Sequence, residues 1–176
     1  MYKILLLGDS LVADYDWQAH LSTYRVRNFG VPGATSTDLL ASLPTIKNKA
    51  DSADVIMIMI GTNDLLSGLG EIVVENLKSI LVHLRHDYPT AEILINSLFP
   101  MSLPHLPADA VENLNSHIEA LAAKTGCCYL DTHRRFLNSG KQLFQDDGVH
   151  LTATAYSLWA RAFTEHLAFL IEKDDD

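Results

Sequence analysis

The chain begins with an unbroken apolar run, Ile4-Leu5-Leu6-Leu7, inside the segment 2–7. A strand with one wet face would alternate with period two, so this run predicts a strand covered on both sides. Four more strand candidates follow. The segment 24–30 alternates Tyr24 and Val26 with Arg25 and Arg27, the pattern of an edge strand. The segment 54–61, DVIMIMIG, is the most hydrophobic stretch and belongs at the centre. The segments 91–99 and 127–131 complete the set. Helical patterns separate most of these strands. Ile72, Val73, Leu77, Ile80, Leu81 and Leu84 recur at helical spacing and stop near Pro89. A second helix opens at Pro107 and carries Val111, Leu114, Ile118 and Leu121 on one face until Gly126. A third, with Leu158, Trp159, Phe163, Leu167 and Leu170, runs into an acidic end.

Strands that alternate with helices imply a parallel sheet wrapped by right-handed crossovers. With the second strand at an edge and the first and third inside, the expected fold is α/β. It is a flavodoxin-like three-layer αβα sandwich whose five-stranded parallel sheet has the order 2-1-3-4-5. No linker, repeat or low-complexity segment interrupts residues 1–172, which are expected to form a single domain. Residues 173–176 are expected to fray, because acids at a helix C-terminus oppose the helix dipole.

A hydrophobic content of 48% with 20% charged residues is ordinary for a globular protein of 176 residues. The net charge of −9 argues against a nucleic-acid partner, which calls for clustered basic surface. No segment nears the ~18 consecutive apolar residues of a membrane span, so no stable membrane insertion is expected. Met1 leads directly into the first strand without a signal pattern. The expected location is therefore cytoplasmic, or secreted if a leader has been removed. Cys127 and Cys128 are adjacent, too few for a disulfide framework, and are expected to be buried strand thiols.

In open parallel sheets chemistry collects at the carboxyl ends of the strands. Four polar clusters fall at such ends or in loops: Gly8-Asp9-Ser10, the loop from Asn28 to Gly33, Gly61-Thr62-Asn63-Asp64, and the DDGVHLT segment 146–152. Serine alone is a poor nucleophile; a base must take its proton and a third group must orient the base. His150 and Asp147, three residues apart, can fill both roles. A tetrahedral intermediate also needs donors aimed at its oxyanion, and the Ser10 and Gly33 N–H groups with the Asn63 amide form a suitable set. Asp9 is expected to brace the loop, and Asp64 to cap the next turn. His83 and His86 stand three apart on a helix, but no carboxylate or cysteine completes a metal site, and no metal or cofactor is expected.

In order along the chain, Ser10 in GDSL, Gly33 in NFGVPGATS, Asn63 in GTND and His150 in DGVH resemble the signature blocks of SGNH hydrolases, the GDSL esterase and lipase family. The blocks run from residue 8 to residue 152. The resemblance implies a serine hydrolase with Ser10 as nucleophile, His150 as base and Asp147 as its partner. Ser10, Gly33 and Asn63 would make the oxyanion hole. The family spacing prefers Asp147 over Asp146 and Gly33 over Gly30, which is left as a turn residue. It also implies a small-molecule ester or thioester substrate; the short loops after each strand leave no room for a lid domain, so short to medium acyl carboxylic esters are expected, with thioesters and lysophospholipids as further candidates. Leu151 departs from the thioesterase-like members that carry proline after the histidine. Leu11, Leu65, Phe99, Met101 and Val149 are the expected substrate contacts, with His105 in a proline-rich loop at the border. The alternatives are a carbohydrate O-deacetylase of the same family and a non-catalytic ligand-binding module.

Overall fold

The computed structural model of the chain describes residues 1–174. Five parallel strands form one sheet: β1 (Lys3–Gly8), β2 (Arg25–Gly30), β3 (Val55–Met59), β4 (Glu92–Asn96) and β5 (Cys128–Leu130). Their order is β2-β1-β3-β4-β5, the order expected from the pattern of burial along the sequence. β1, β3 and β4 are the interior strands. Residues 4–7 and 56–59 expose at most 1% of their surface, which is why neither β1 nor β3 alternates. β2 is an edge, with Arg25 and Arg27 in solvent and Val26 and Phe29 half-buried.

Eight helices surround the sheet among the described residues. They are α1 (Ser10–Ala13), α2 (Trp17–His20), α3 (Ser36–Lys49), α4 (Thr62–Leu66), α5 (Val73–Asp87), α6 (Ala110–Thr125), α7 (Thr132–Leu137) and α8 (Ala153–Asp174). α5 buries Val73, Leu77, Ile80, Leu81 and Leu84 against the sheet, a stripe worth about 1.5–3 kcal/mol per residue before the entropy of ordering. α6 ends at Gly126 in the left-handed conformation. α3 has no counterpart among the helices named from periodicity. Pro44 sits inside it and breaks the pattern, while Thr35 and Asp38 close a capping box at its start and Leu39, Leu43 and Ile46 supply its buried face. α8 continues through Asp174, past the expected boundary at residue 172. The expected fraying of the last two acids lies outside the described residues.

Two segments depart from the strand pattern. The apolar run 91–99 leaves the sheet after Asn96, because the Asn115 side chain takes over as the partner: it accepts from the Leu98 N–H at 2.8 Å and donates to the Leu98 carbonyl at 3.0 Å. Cys127 and Cys128 are half-buried rather than buried, the former receiving the Arg85 guanidinium at 3.7 Å on its sulfur. Among the described residues no helix is long and apolar enough to cross a membrane.

Candidate active site

Gly8, at the end of β1, has no room for a side chain: a Cβ would lie 2.3 Å from the Met59 carbonyl oxygen. The strand therefore stays close to β3 up to its last residue and delivers Asp9 and Ser10 at the sheet's upper edge. Asp9 is wholly buried and caps α1, its Oδ1 accepting the Leu11 N–H at 2.9 Å. This is the bracing role expected of it. Its Oδ2 has no partner among the described residues. Burial pushes the carboxyl up to about 7, against the pull of the Leu11 N–H and of His150 nearby. Gly30, expected in a turn, instead ends β2, where a Cβ would lie 2.4 Å from the Ala13 nitrogen.

Ser10 Oγ stands 3.2 Å from His150 Nε2, and His150 Nδ1 stands 2.5 Å from Asp147 Oδ2. The second contact is built locally. Asp147 Oδ1 accepts the N–H groups of Val149 and His150, both at 2.9 Å, so the carboxylate curls its own loop beneath the imidazole. The loop is closed at its base by Gln145 N–H to the His150 carbonyl, by Thr152 N–H to the Leu143 carbonyl and by the Phe144–Leu151 bridge. Those loop N–H bonds and the imidazole hold the Asp147 carboxyl down at about 2. Asp146 points into solvent.

On the other side, Val31-Pro32-Gly33-Ala34 turns sharply after β2. The Ala34 N–H donates to the Val31 carbonyl at 3.1 Å, and Gly33 takes φ +78°. Proline followed by glycine at the positive-φ position is the signature of a type II turn, and it accounts for Gly33 without any steric demand. Asn63, in the first turn of α4, donates through Nδ2 to the Ala34 carbonyl at 2.9 Å. The second proton of that amide is left for another acceptor. Ser10 is the first residue of α1, so its N–H has no acceptor within the helix. Asp64 does not cap its own turn; its carboxylate accepts from Ser36.

The expected substrate contacts divide. Leu11, Phe99 and Met101 are buried, at 2%, 3% and 8% exposure, and offer almost no surface to a ligand. Phe99 is stacked on Phe136 at 4.5 Å and meets Trp159 edge-on at 4.8 Å, which makes it a core aromatic. Val149 is half-buried beside His150. Leu65 alone of the five lines a groove of about 620 Å³, together with Leu66, Val74, Leu106, Ala110 and Leu114, with His105 at its border. The loop forming one wall also reaches the triad turn, since a Cβ on Gly148 would lie 3.0 Å from Leu103. The groove adjoins α4, which also carries Asn63, while none of Ser10, Gly33, Asn63 and His150 lines it. Val74, Ala110 and Leu114 lay beyond the sequence reading, which treated helix faces as core; their signal was apolar residues in the first turns of two helices.

His83 bonds its own helix through the Ser79 carbonyl, and His86 lies against Asp87. A second cleft, of about 410 Å³, adjoins His150 and is lined by Asp14, Tyr15, Gln145, Tyr156 and Ser157 among others.

A serine, imidazole and carboxylate in hydrogen-bond reach at the top of a parallel α/β sheet is the arrangement that serine hydrolases use. Residues 6–158 match the model of the GDSL-like lipase/acylhydrolase family. The chain belongs to that family and is a carboxylic ester hydrolase. No curated protein matches it by sequence. Among solved structures it is similar to TesA, at 23% identity over 94% of this chain and 97% of that one, with a TM-score of 0.78. It is also similar to the lipase/acylhydrolase from Enterococcus faecalis, at 20% identity over 95% of each chain and a TM-score of 0.79. A third is a catalytic mutant of Axe2, an acetylxylan esterase from Geobacillus stearothermophilus, at 20% identity over 93% of each chain and a TM-score of 0.77. At these identities the structures share the fold.

Proposed function

We propose that the chain hydrolyses short to medium acyl esters and thioesters through an acyl-enzyme on Ser10. The observation that carries this reading is the continuous relay from Ser10 Oγ to His150 to Asp147 at 3.2 and 2.5 Å. In the reaction His150 Nε2 takes the hydroxyl proton as Oγ attacks the carbonyl carbon. Asp147 holds the Nδ1 proton and stabilises the imidazolium. The oxyanion is received by the Ser10 and Gly33 N–H groups and the free proton of the Asn63 amide. His150 then protonates the departing alkoxide or thiolate, and water enters by the same route to release the acid.

The apolar groove along α4, with Leu65 and Leu66 on its wall, is where we place the acyl chain. Each methylene that enters it is worth ~0.8 kcal/mol, so kcat/KM should climb with chain length and level off where the groove ends. A p-nitrophenyl ester series from acetate to palmitate tests this directly. A climb that continues through palmitate, or faster hydrolysis of emulsified triolein than of soluble butyrate ester, would refute it. Covalent assignment comes from a fluorophosphonate: one mass increment on Ser10, abolished in Ser10→Ala.

The cleft of mixed polar and apolar lining beside His150 favours one further reading, a carbohydrate O-deacetylase. There Tyr15 and Tyr156 stack at 4.8 Å beside Asp14, Gln145 and Ser157, a lining suited to a hydroxylated leaving group. Release of acetate from acetylated xylo-oligosaccharides faster than hydrolysis of p-nitrophenyl butyrate would select it.

A further inference from the structure

β2 and β3 are not neighbours; β1 lies between them. The two loops expected to hold the oxyanion, one after each strand, therefore receive no mutual hydrogen bonds from the sheet. β2 is moreover an edge strand with an exposed face. Two donors that must sit within a few tenths of an ångström of a common point need some other connection.

That connection is buried directly behind them. Asp64, adjacent to Asn63, is 1% exposed, and Ser36, three residues after Gly33, is fully covered. Asp64 Oδ2 accepts the Ser36 N–H at 2.9 Å and Oδ1 accepts the Ser36 hydroxyl at 2.7 Å. Asn76, from α5, donates to Thr37 Oγ1 at 3.0 Å and to Ser36 Oγ at 2.9 Å, which occupies a lone pair of the serine oxygen while its single proton goes to Asp64. The carboxylate lies at the positive end of the 14-residue helix α3, a favourable place for a buried anion. Together with the Asn63 to Ala34 bond, the two segments 33–36 and 63–64 are stapled to each other across the end of β1.

We infer that Asp64 and Ser36, held by Asn76, are positioning residues that set the distance between the Gly33 N–H and the Asn63 amide. The clamp acts through Asn63 on the transition state, and rests on the serine-hydrolase reading given above. A clamp of this kind leaves ground-state binding alone and changes the chemical step.

The test is a double-mutant cycle with p-nitrophenyl acetate. Ser36→Ala removes a single buried oxygen. It should lower kcat about 10- to 100-fold with KM changed less than about threefold, as expected for a misplaced donor. In an Asn63→Ala background the same change should cost less than about twofold, because the group it positions is gone. Asp64→Asn, which turns an amide donor toward the Ser36 N–H or hydroxyl, should behave alike. If either variant folds poorly by thermal denaturation, Asn76→Ala, which leaves the Asp64–Ser36 pair intact, should still lower kcat measurably and lose that effect without Asn63. Equal losses with and without Asn63 would show ordinary structural residues and overturn the clamp, as would wild-type kcat in Ser36→Ala. Turnover that persists in Ser10→Ala would instead overturn the hydrolase reading, and the clamp with it.

Discussion

The two halves of the site are made in opposite ways. His150 and Asp147 lie three residues apart in a surface turn, with side chains 39% and 50% exposed, and the turn's own N–H groups orient the carboxylate. Ser36 and Asp64 lie 28 residues apart, wholly or almost wholly buried, and meet only because the fold brings the first turns of α3 and α4 together. The exposed half can be assembled by a short segment of chain. The buried half exists only in the finished fold. An imidazole that must exchange protons with substrate and water has to be reachable, whereas donors for an oxyanion gain strength from a site that excludes water and does not reorganise.

This contrast can be tested from its largest effect downward. Asp147→Asn should lose about 10³–10⁴ in kcat, because the amide cannot hold the Nδ1 proton in the required tautomer, while Asp146→Asn should stay near wild type. Equal losses in the two would place the orienting group elsewhere. Asn63→Ala should lose about 10²–10³ in kcat without unfolding, read from steady-state kinetics beside a thermal melt.

A smaller effect separates the groove from both halves. Ala110→Trp would fill the space between α6 and Leu65–Leu66. With ~0.8 kcal/mol lost for each displaced methylene, kcat/KM for the octanoate ester should fall about tenfold or more, and that for acetate far less. Uniform loss across the series would remove the groove as the acyl site.

The smallest effect concerns Asp9, the other wholly buried carboxyl. Its folded value, about 7, lies above the ordinary 3.8, so between these the folded protein holds a proton that the unfolded chain has released. Stability from this group is therefore fullest below about 4 and is lost as pH rises through about 7. Asp9→Asn keeps an acceptor for the Leu11 N–H and cannot ionise. Its melting temperature relative to wild type should rise from pH 5 to pH 8 by about 2–4 °C for each kcal/mol relieved. A constant difference across that range would mean that Asp9 does not titrate there.

Much of this molecule was legible in one dimension. Ile4 to Leu7 and Val55 to Met59 read as strands covered on both faces and Arg25 and Arg27 marked an edge, which puts β2 at the edge and β1 and β3 inside. That Asp147 lies within reach of His150 was readable because a turn is a local object; the type II turn at Pro32-Gly33 is visible in the structure through the positive φ of Gly33. α3 was not readable in the sequence, since Pro44 interrupts its period and its capping box says only where it starts.

What tertiary structure alone decided is which apolar side chains face a ligand and which polar ones meet. Leu11, Phe99 and Leu65 are equally hydrophobic in sequence, yet α7 and α8 cover Phe99 with Phe136 and Trp159 while Leu65 is left at the wall of a groove. Asp64 follows Asn63 in a helix start, where a local cap is the natural expectation; the packing of α3 and α5 gave it Ser36 and, through Ser36, Asn76. Residue type and spacing determine the conformations a segment can adopt by itself. Burial and long-range hydrogen bonding are set by which surfaces remain uncovered once all segments have packed, and no single segment carries that information.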